Sequence, residues 1–244
     1  MANWIKDPYY PVINVAQDNP KLVIASLVNS NEVKSRWIPV SITTQSESIF
    51  DQTFFPHGQW IGLRNLTYCT FFLPYEENGW IIANLKQAGY YRVNYDSKNW
   101  QKIADFLDSP NYSEIDVLNR AQIIDDAFHL MITKKLSHIT FWKLANYLSQ
   151  EKEYIVWYPM IKALERMSNA FSLPENKTKR LRKKMMLILD NLLMEIKYED
   201  EPDDSDHLKS LRKEIVTWAC TLGIRECTDK AQQKMKKYVT NPGK

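Results

Sequence analysis

The residues whose types suit chemistry are few: four histidines, three cysteines and the adjacent aspartates Asp125 and Asp126. A metal-dependent peptidase needs two His one helical turn apart, a third ligand, and a Glu acting on the metal-bound water, written H-E-x-x-H. His57, His129, His138 and His207 are each followed by a residue other than Glu, and no two lie four apart. The spacing therefore argues against a catalytic metal site within this chain. Asp125 and Asp126 resemble the paired carboxylates of an acid–base mechanism. Neighbours on a helix point about 100° apart, so the two are not expected to converge on one ligand. One is expected to face solvent while the other binds a backbone group or an arginine, Arg120 or Arg92. Asp116 and Arg120 stand at i, i+4, a spacing that suits a surface ion pair. Neither a Gly-x-Ser-x-Gly elbow nor a phosphate-binding glycine loop occurs.

Cys69 has no His or basic residue beside it to activate the thiol, and is expected to be a buried free cysteine in a strand. Cys220 and Cys227 are the more informative pair. Leu222-Gly223 between them ends a helix, so the chain can reverse and bring the sulfurs together. On this reading alone, a disulfide and two free buried thiols both remain open.

The elements that must position these residues change type once along the chain. In Trp80–Leu85, Ile81, Ala83 and Leu85 alternate with Ile82 and Asn84, the period of a strand with one face buried. Tyr90–Tyr95 alternates again, Tyr91, Val93 and Tyr95 against Tyr90, Arg92 and Asn94. With Gly89 free to take positive φ in the connection, the two segments predict a hairpin. Earlier strands are expected at Tyr10–Val15, Leu22–Val28, Trp37–Thr43 and Tyr68–Leu73, with Thr44–Leu66 mostly loop. Pro39 lacks an N–H, so its strand is an edge or has a free donor side there. Short strands with turn signals between them predict an antiparallel sandwich rather than a parallel sheet.

From Asn99 the period becomes helical, after cap residues at Asp96 and Ser97. Trp100, Ile103, Phe106 and Leu107 mark a short helix that Pro110 ends. Val117, Ala121, Ile124, Phe128 and Met131 share one face of the next, with Asn119, Gln122, Asp126 and His129 opposite. Further helices are expected after the cap Ser137, over Glu153–Phe171 with a bend near Pro159, after Leu173-Pro174, over Ser210–Leu222 and over Thr228–Val239. Short connections imply antiparallel neighbours. Lys177, Lys179, Arg180, Arg182, Lys183 and Lys184 form a basic run, and Glu199–Asp206 an acidic one. The expectation is a solvated helix face and a solvated loop that partly neutralise each other.

Composition is that of an ordinary globular chain: 44% hydrophobic, 25% charged, net charge +3. That charge, without a basic stripe, excludes a nucleic-acid binder. No run of about twenty apolar residues predicts a membrane span. Sequons occur at Asn65-Leu-Thr67, Asn111-Tyr-Ser113 and Asn176-Lys-Thr178, which makes these three asparagines glycosylation candidates and tilts the setting towards the extracellular side. Since Met1–Asp7 lacks a leader's apolar core, the sequence reads as a piece of a longer secreted or membrane-anchored protein.

Two motifs carry a family resemblance. Gly89-Tyr90-Tyr91-Arg92-Val93-Asn94-Tyr95-Asp96, preceded by Trp80 and followed by Asn99-Trp100, resembles the close of the β-sandwich in aminopeptidase N-type zinc exopeptidases. Asn119-Arg120-Ala121-Gln122, continuing to Asp125-Asp126 and Phe128, resembles the opening of that family's helical domain. The resemblance runs from about Trp4 to the end of the chain. It implies a remnant of the link from a catalytic domain over residues 1–7, a β-sandwich domain over 8–97 and the first part of an α-helical C-terminal domain over 98–244. The helical part is expected as antiparallel pairs in a HEAT- or armadillo-like superhelix, incomplete at its C-terminus.

Ala219-Cys220-Thr221-Leu222-Gly223 followed by Cys227 looks like a disulfide motif of that family, which favours the bonded state for the pair. The family's H-E-x-x-H and Gly-x-Met-x-Asn motifs are absent here. The resemblance therefore implies a non-catalytic scaffold and substrate-access region, inactive by itself. Zinc would reside in the parent enzyme's catalytic domain. That domain is the expected partner, with peptides as the parent's substrates and a homodimer through the helical domain a further possibility. A different reading of the same helices is a stand-alone module that binds a peptide or protein on a concave face.

Overall fold

The protein is described by a computed structural model that covers residues 10–19, 22–27, 38–50, 59–61, 68–72, 78–168 and 175–240. The expected interdomain link at 1–7, His57, the Asn65 sequon and the expected helix start at Leu173-Pro174 lie outside the described residues. A β part comes first and an α part follows. Two compact units, Met1–Ala145 and Asn146–Lys244, divide the chain, so the change of secondary structure precedes the division of the core by some fifty residues.

The described strands are β1 (Val12–Asn19), β2 (Leu22–Leu27), β3 (Ile38–Val40), β4 (Ile42–Thr44), β5 (Gln59–Ile61), β6 (Tyr68–Phe72), β7 (Ile81–Ala83) and β8 (Arg92–Tyr95). They form a four-stranded sheet in the order β6-β2-β1-β8 and two ribbons, β3-β5 and β4-β7. Several expectations need correction here. β7 and β8 are not a hairpin: β7 pairs antiparallel with β4, while β8 pairs with β1. The β1–β8 pairing is parallel, so the sheet is mixed rather than antiparallel throughout. The strand expected over Trp37–Thr43 is split at Ser41 into β3 and β4, which belong to different sheets. The stretch expected to be mostly loop also contains β5.

The sheet switch between β7 and β8 has a local cause. Asn84 sits in the left-handed region (φ 60°, ψ 58°), a conformation that Asn tolerates better than most residues. Leu85–Gln87 then forms a 3-10 turn in which Lys86 and Gln87 also have positive φ. Asn84 Nδ2 donates to the Gly89 carbonyl at 3.0 Å, and its Oδ1 accepts from the Gly89 N–H at 2.8 Å. The chain is thereby turned out of one sheet and into another. Gly89 itself is not at positive φ. Its missing side chain is needed because a Cβ there would overlap the ring of Tyr91.

Seven α-helices are described: α1 (Ser97–Leu107), α2 (Val117–Ile132), α3 (His138–Asn146), α4 (Tyr154–Ser168), α5 (Glu175–Ile196), α6 (Asp206–Leu222) and α7 (Arg225–Thr240). Asp96 caps α1 by accepting from the N–H groups of Lys98 and Asn99, both at 2.9 Å. Asp116 caps α2 and Ser205 caps α6. α4 continues through Pro159. Gly223, with φ 87°, closes α6 in a left-handed cap, where the Ile224 N–H returns to the Ala219 carbonyl.

In the first unit, Ile13, Val15, Val23, Ala25 and Val93 are buried from the main sheet, and Ile38, Ile42, Ile61 and Ile82 from the ribbons. Trp80, Trp100 and Phe141 are also fully buried there. In the second, α5 packs on α6 and α4 packs on α6, burying Trp157, Leu189, Leu192, Leu211, Ile215 and Ala219. Arg212 organises the end of α5: its Nε and Nη2 both donate to the Ile196 carbonyl, at 3.0 and 2.9 Å. The same guanidinium pairs with Asp200 at 2.6 Å and Asp204 at 2.9 Å. Ion pairs of the acidic loop run to Arg212, Lys197 and Lys234.

Candidate functional site

The two motifs singled out in the sequence meet in the first unit. β8 supplies Arg92 and α2 supplies Asp125 and Asp126. One nitrogen, Arg92 Nη1, lies 2.5 Å from Asp125 Oδ2 and 2.8 Å from Asp126 Oδ1. The adjacent carboxylates therefore converge on one cation after all. The angular argument fails because the guanidinium inserts between the two side chains instead of requiring both to point the same way. Arg92, of the two arginines considered, is the partner. Arg120 instead donates to the Ile115 carbonyl and lies over the Tyr112 ring.

Division of labour between the carboxylates follows their exposure. Asp126 is 3% exposed, whereas the Asp125 side chain is about half exposed at 49%. The second oxygen of Asp126 accepts from the Val93 N–H at 2.9 Å and from Gln122 Nε2 at 3.2 Å. Burial pushes the Asp126 carboxyl up to about 7, with the Arg92 charge and the Val93 N–H pulling the other way. From Gln122 the network continues inward. Asn119 Nδ2 donates to Gln122 Oε1 at 3.0 Å and to the Asn84 carbonyl at 3.1 Å, and Asn119 Oδ1 accepts from the Lys86 N–H at 2.8 Å. The polar side of α2, Asn119, Gln122 and Asp126, is thus buried against the turn that joins β7 to β8.

The remaining residues of the first motif each hold a neighbour. Tyr91, Val93 and Tyr95 point into the core, and the Tyr95 hydroxyl accepts from the Ala83 N–H at 3.0 Å. Asn94 bonds Asn14 across the parallel pair and accepts from Trp100 Nε1. Asp96 adds a bond from the Gln17 N–H to its capping role. Asn99, one turn into α1, bonds both the N–H and the carbonyl of Ile81, extending β7 by a side chain.

An open cleft of about 300 Å³ lies beside this network, lined by Tyr10, Asn84, Tyr90, Arg92, Gln122 and Asp125 among others. The Arg92 guanidinium sits 4.6 Å from the centre of the Tyr10 ring, and the Tyr10 hydroxyl bonds His129 Nδ1 at 2.8 Å. Among the described residues no group of three His, Cys, Asp or Glu side chains could hold a metal ion. Cys69 is buried in β6 and unbonded, and burial pushes its thiol up to about 12, so it is protonated at neutral pH. Cys220 and Cys227 are joined as a disulfide with Cα atoms 5.2 Å apart.

Residues 80–244, which contain both motifs, match the family model described as the ERAP1-like C-terminal domain. The chain belongs to that family. Human aminopeptidase Q is 34% identical over 174 residues, 68% of this chain and 17% of the relative. Rabbit aminopeptidase N is 28% identical over 254 aligned residues, 99% of this chain and 26% of the relative. The mouse thyrotropin-releasing hormone-degrading ectoenzyme is 30% identical over 179 residues, 68% of this chain and 16% of the relative. This ERAP1-like C-terminal chain spans between about a sixth and a quarter of the length of these relatives, and corresponds to the C-terminal region of aminopeptidase N-like proteins.

Two residues escape sequence reading, Asn84 in this network and Arg212 in the second unit. The alternation puts Asn84 in a strand, although an Asn directly after an alternating run is a signal for a left-handed turn. Arg212 had no sequence signal at all; its importance comes from the loop that folds back over it.

Proposed function

We propose that this chain is the non-catalytic C-terminal scaffold of a zinc aminopeptidase that removes N-terminal residues from peptides. The observation that carries the reading is that both family motifs serve structure. Arg92, Gln122, Asp126 and Asn119 bond one another and the backbone in a buried seam. In this reading zinc and the peptide-cleaving residues belong to a catalytic domain outside this chain, and that domain is its partner. Self-association through the helices and an extracellular or cell-surface setting belong to the same proposal. The names of the relatives, one of them an ectoenzyme, support the setting. No described helix is long and apolar enough to cross a membrane.

The last helix adds support for a chain that packs on further structure. Met235, Tyr238 and Val239, three residues on one face of α7, are 64%, 70% and 65% exposed.

The test is hydrolysis of an aminoacyl chromogenic amide by the purified chain, with zinc content measured by atomic emission. The expected result is no turnover and no stoichiometric zinc. Zinc-dependent turnover would overturn the scaffold reading.

A further inference from the structure

The Asn111 and Asn176 sequons, which reach into the described residues, differ in how the fold presents them. Asn111 is exposed, in the turn between α1 and a 3-10 segment at Tyr112–Glu114. Its side chain makes no capping hydrogen bond to that segment. Its backbone is held from both sides, by the Ser109 hydroxyl on its N–H and by the Glu114 N–H on its carbonyl. Ser113, the hydroxyl residue of the sequon, is also exposed. Between them Tyr112 is anchored, with the Arg120 guanidinium 5.4 Å from its ring centre. Immediately beyond, Ile115 is fully buried, so the core ends where the sequon ends. The Asn176 sequon is placed differently. Its Thr178 lies in the first turn of α5, 3% exposed, with a buried hydroxyl that has no hydrogen-bond partner among the described residues. An enzyme reading that threonine must open the helix.

We propose that Asn111 is an N-glycosylation site of the folded first unit. In the transfer, Asn111 Nδ2 bonds to C1 of an oligosaccharide carried on a polyprenyl diphosphate. The C1–oxygen bond to the diphosphate breaks, the lipid diphosphate leaves with the electron pair, and an amide proton passes to a base of the transferring enzyme. The glycan then stands on the turn of residues 109–114 and faces water, with no core side chain displaced. This inference rests on the extracellular setting proposed above.

The experiment expresses the full chain behind a cleavable secretion leader in animal cells. Protein is collected from both medium and lysate, and glycans are removed with peptide-N-glycosidase in heavy-oxygen water. The expected result is conversion of Asn111 to Asp carrying one heavy oxygen. Asn111→Gln and Ser113→Ala should each abolish that label, and Ser113→Thr should retain it. A bare Asn111 would overturn the site, whether or not Asn65 or Asn176 is occupied, because the leader has supplied the compartment. Protein isolated from its native cells separates the two ideas. A glycan found with the leader but missing there would sink the extracellular setting and leave the site intact.

Discussion

Asp125 and Asp126 are identical in type and adjacent in sequence, yet they differ in what their loss should cost. Asp126 is buried, and its partners are an arginine, a backbone N–H and a glutamine amide. Removing it takes the acceptor from the Val93 N–H and the Gln122 amide and leaves Arg92 with Asp125 alone, so Asp126→Ala should cost on the order of 3 kcal/mol of first-unit stability. Asp125 is half exposed with one partner, so Asp125→Ala should cost less than about 1 kcal/mol. Urea denaturation of the two variants measures the difference, and equal losses would contradict the assignment. The pH dependence has a definite sign. Because the folded Asp126 carboxyl is raised to about 7 from an ordinary value near 3.8, the folded protein holds this proton more tightly than the unfolded chain does. Its contribution to stability is full at low pH and declines as pH rises from about 4 through 7. Wild type should therefore show a more negative slope of urea midpoint against pH over that window than Asp126→Asn. At Gly89 the issue is space. The Tyr91 ring occupies the volume that a Cβ would take, so Gly89→Ala should cost about 1–3 kcal/mol by the same assay.

Among the elements, the sheet switch after β7 shows where periodicity stops being informative. Alternation in Trp80–Leu85 and Tyr90–Tyr95 marks two extended segments, and both exist. Alternation is silent about the neighbour each strand chooses. That choice lay in Asn84, whose side chain satisfies Gly89 and so replaces the ladder bonds a hairpin would have made. The helices were more legible, since their caps and apolar faces are local in sequence: Asp96, Ser137 and Gly223 all stand where a helix begins or ends. Of the site, the motif residues were visible as a resemblance. Their convergence was not, because Arg92 and Asp126 are 34 residues apart and meet only once the main sheet and α2 pack together. The polar stripe of α2 was visible too, but nothing local distinguishes a stripe that meets water from one that meets a polar turn. At the last helix, Cys227 is the one described residue of α7 that is buried. Cys220→Ser should lower stability by about 2 kcal/mol. Hydrogen exchange should quicken over residues 225–240 while the amides of α6 around Leu211 and Ile215 stay protected.

For the whole molecule, each unit has an arginine that gathers two carboxylates, the partly buried Arg92 in the first and the buried Arg212 in the second, and the two are built alike. Both take carboxylates from a segment close by in space, and in both an exposed acid shares the cation with a more enclosed one. Arg92→Met should therefore loosen amides of β8 and α2, and Arg212→Met those at the end of α5 and the start of α6. Native-state hydrogen exchange resolves the two, and a variant that loosened only the other unit would contradict the assignment of each arginine to its own core. The disulfide has a consequence of a different kind. Arg225, its side chain 95% exposed, lies between Cys220 and Cys227. A tryptic cut after it severs the backbone without parting the pieces, so the nicked protein migrates as one species on a non-reducing gel and loses its last nineteen residues only when thiol is added.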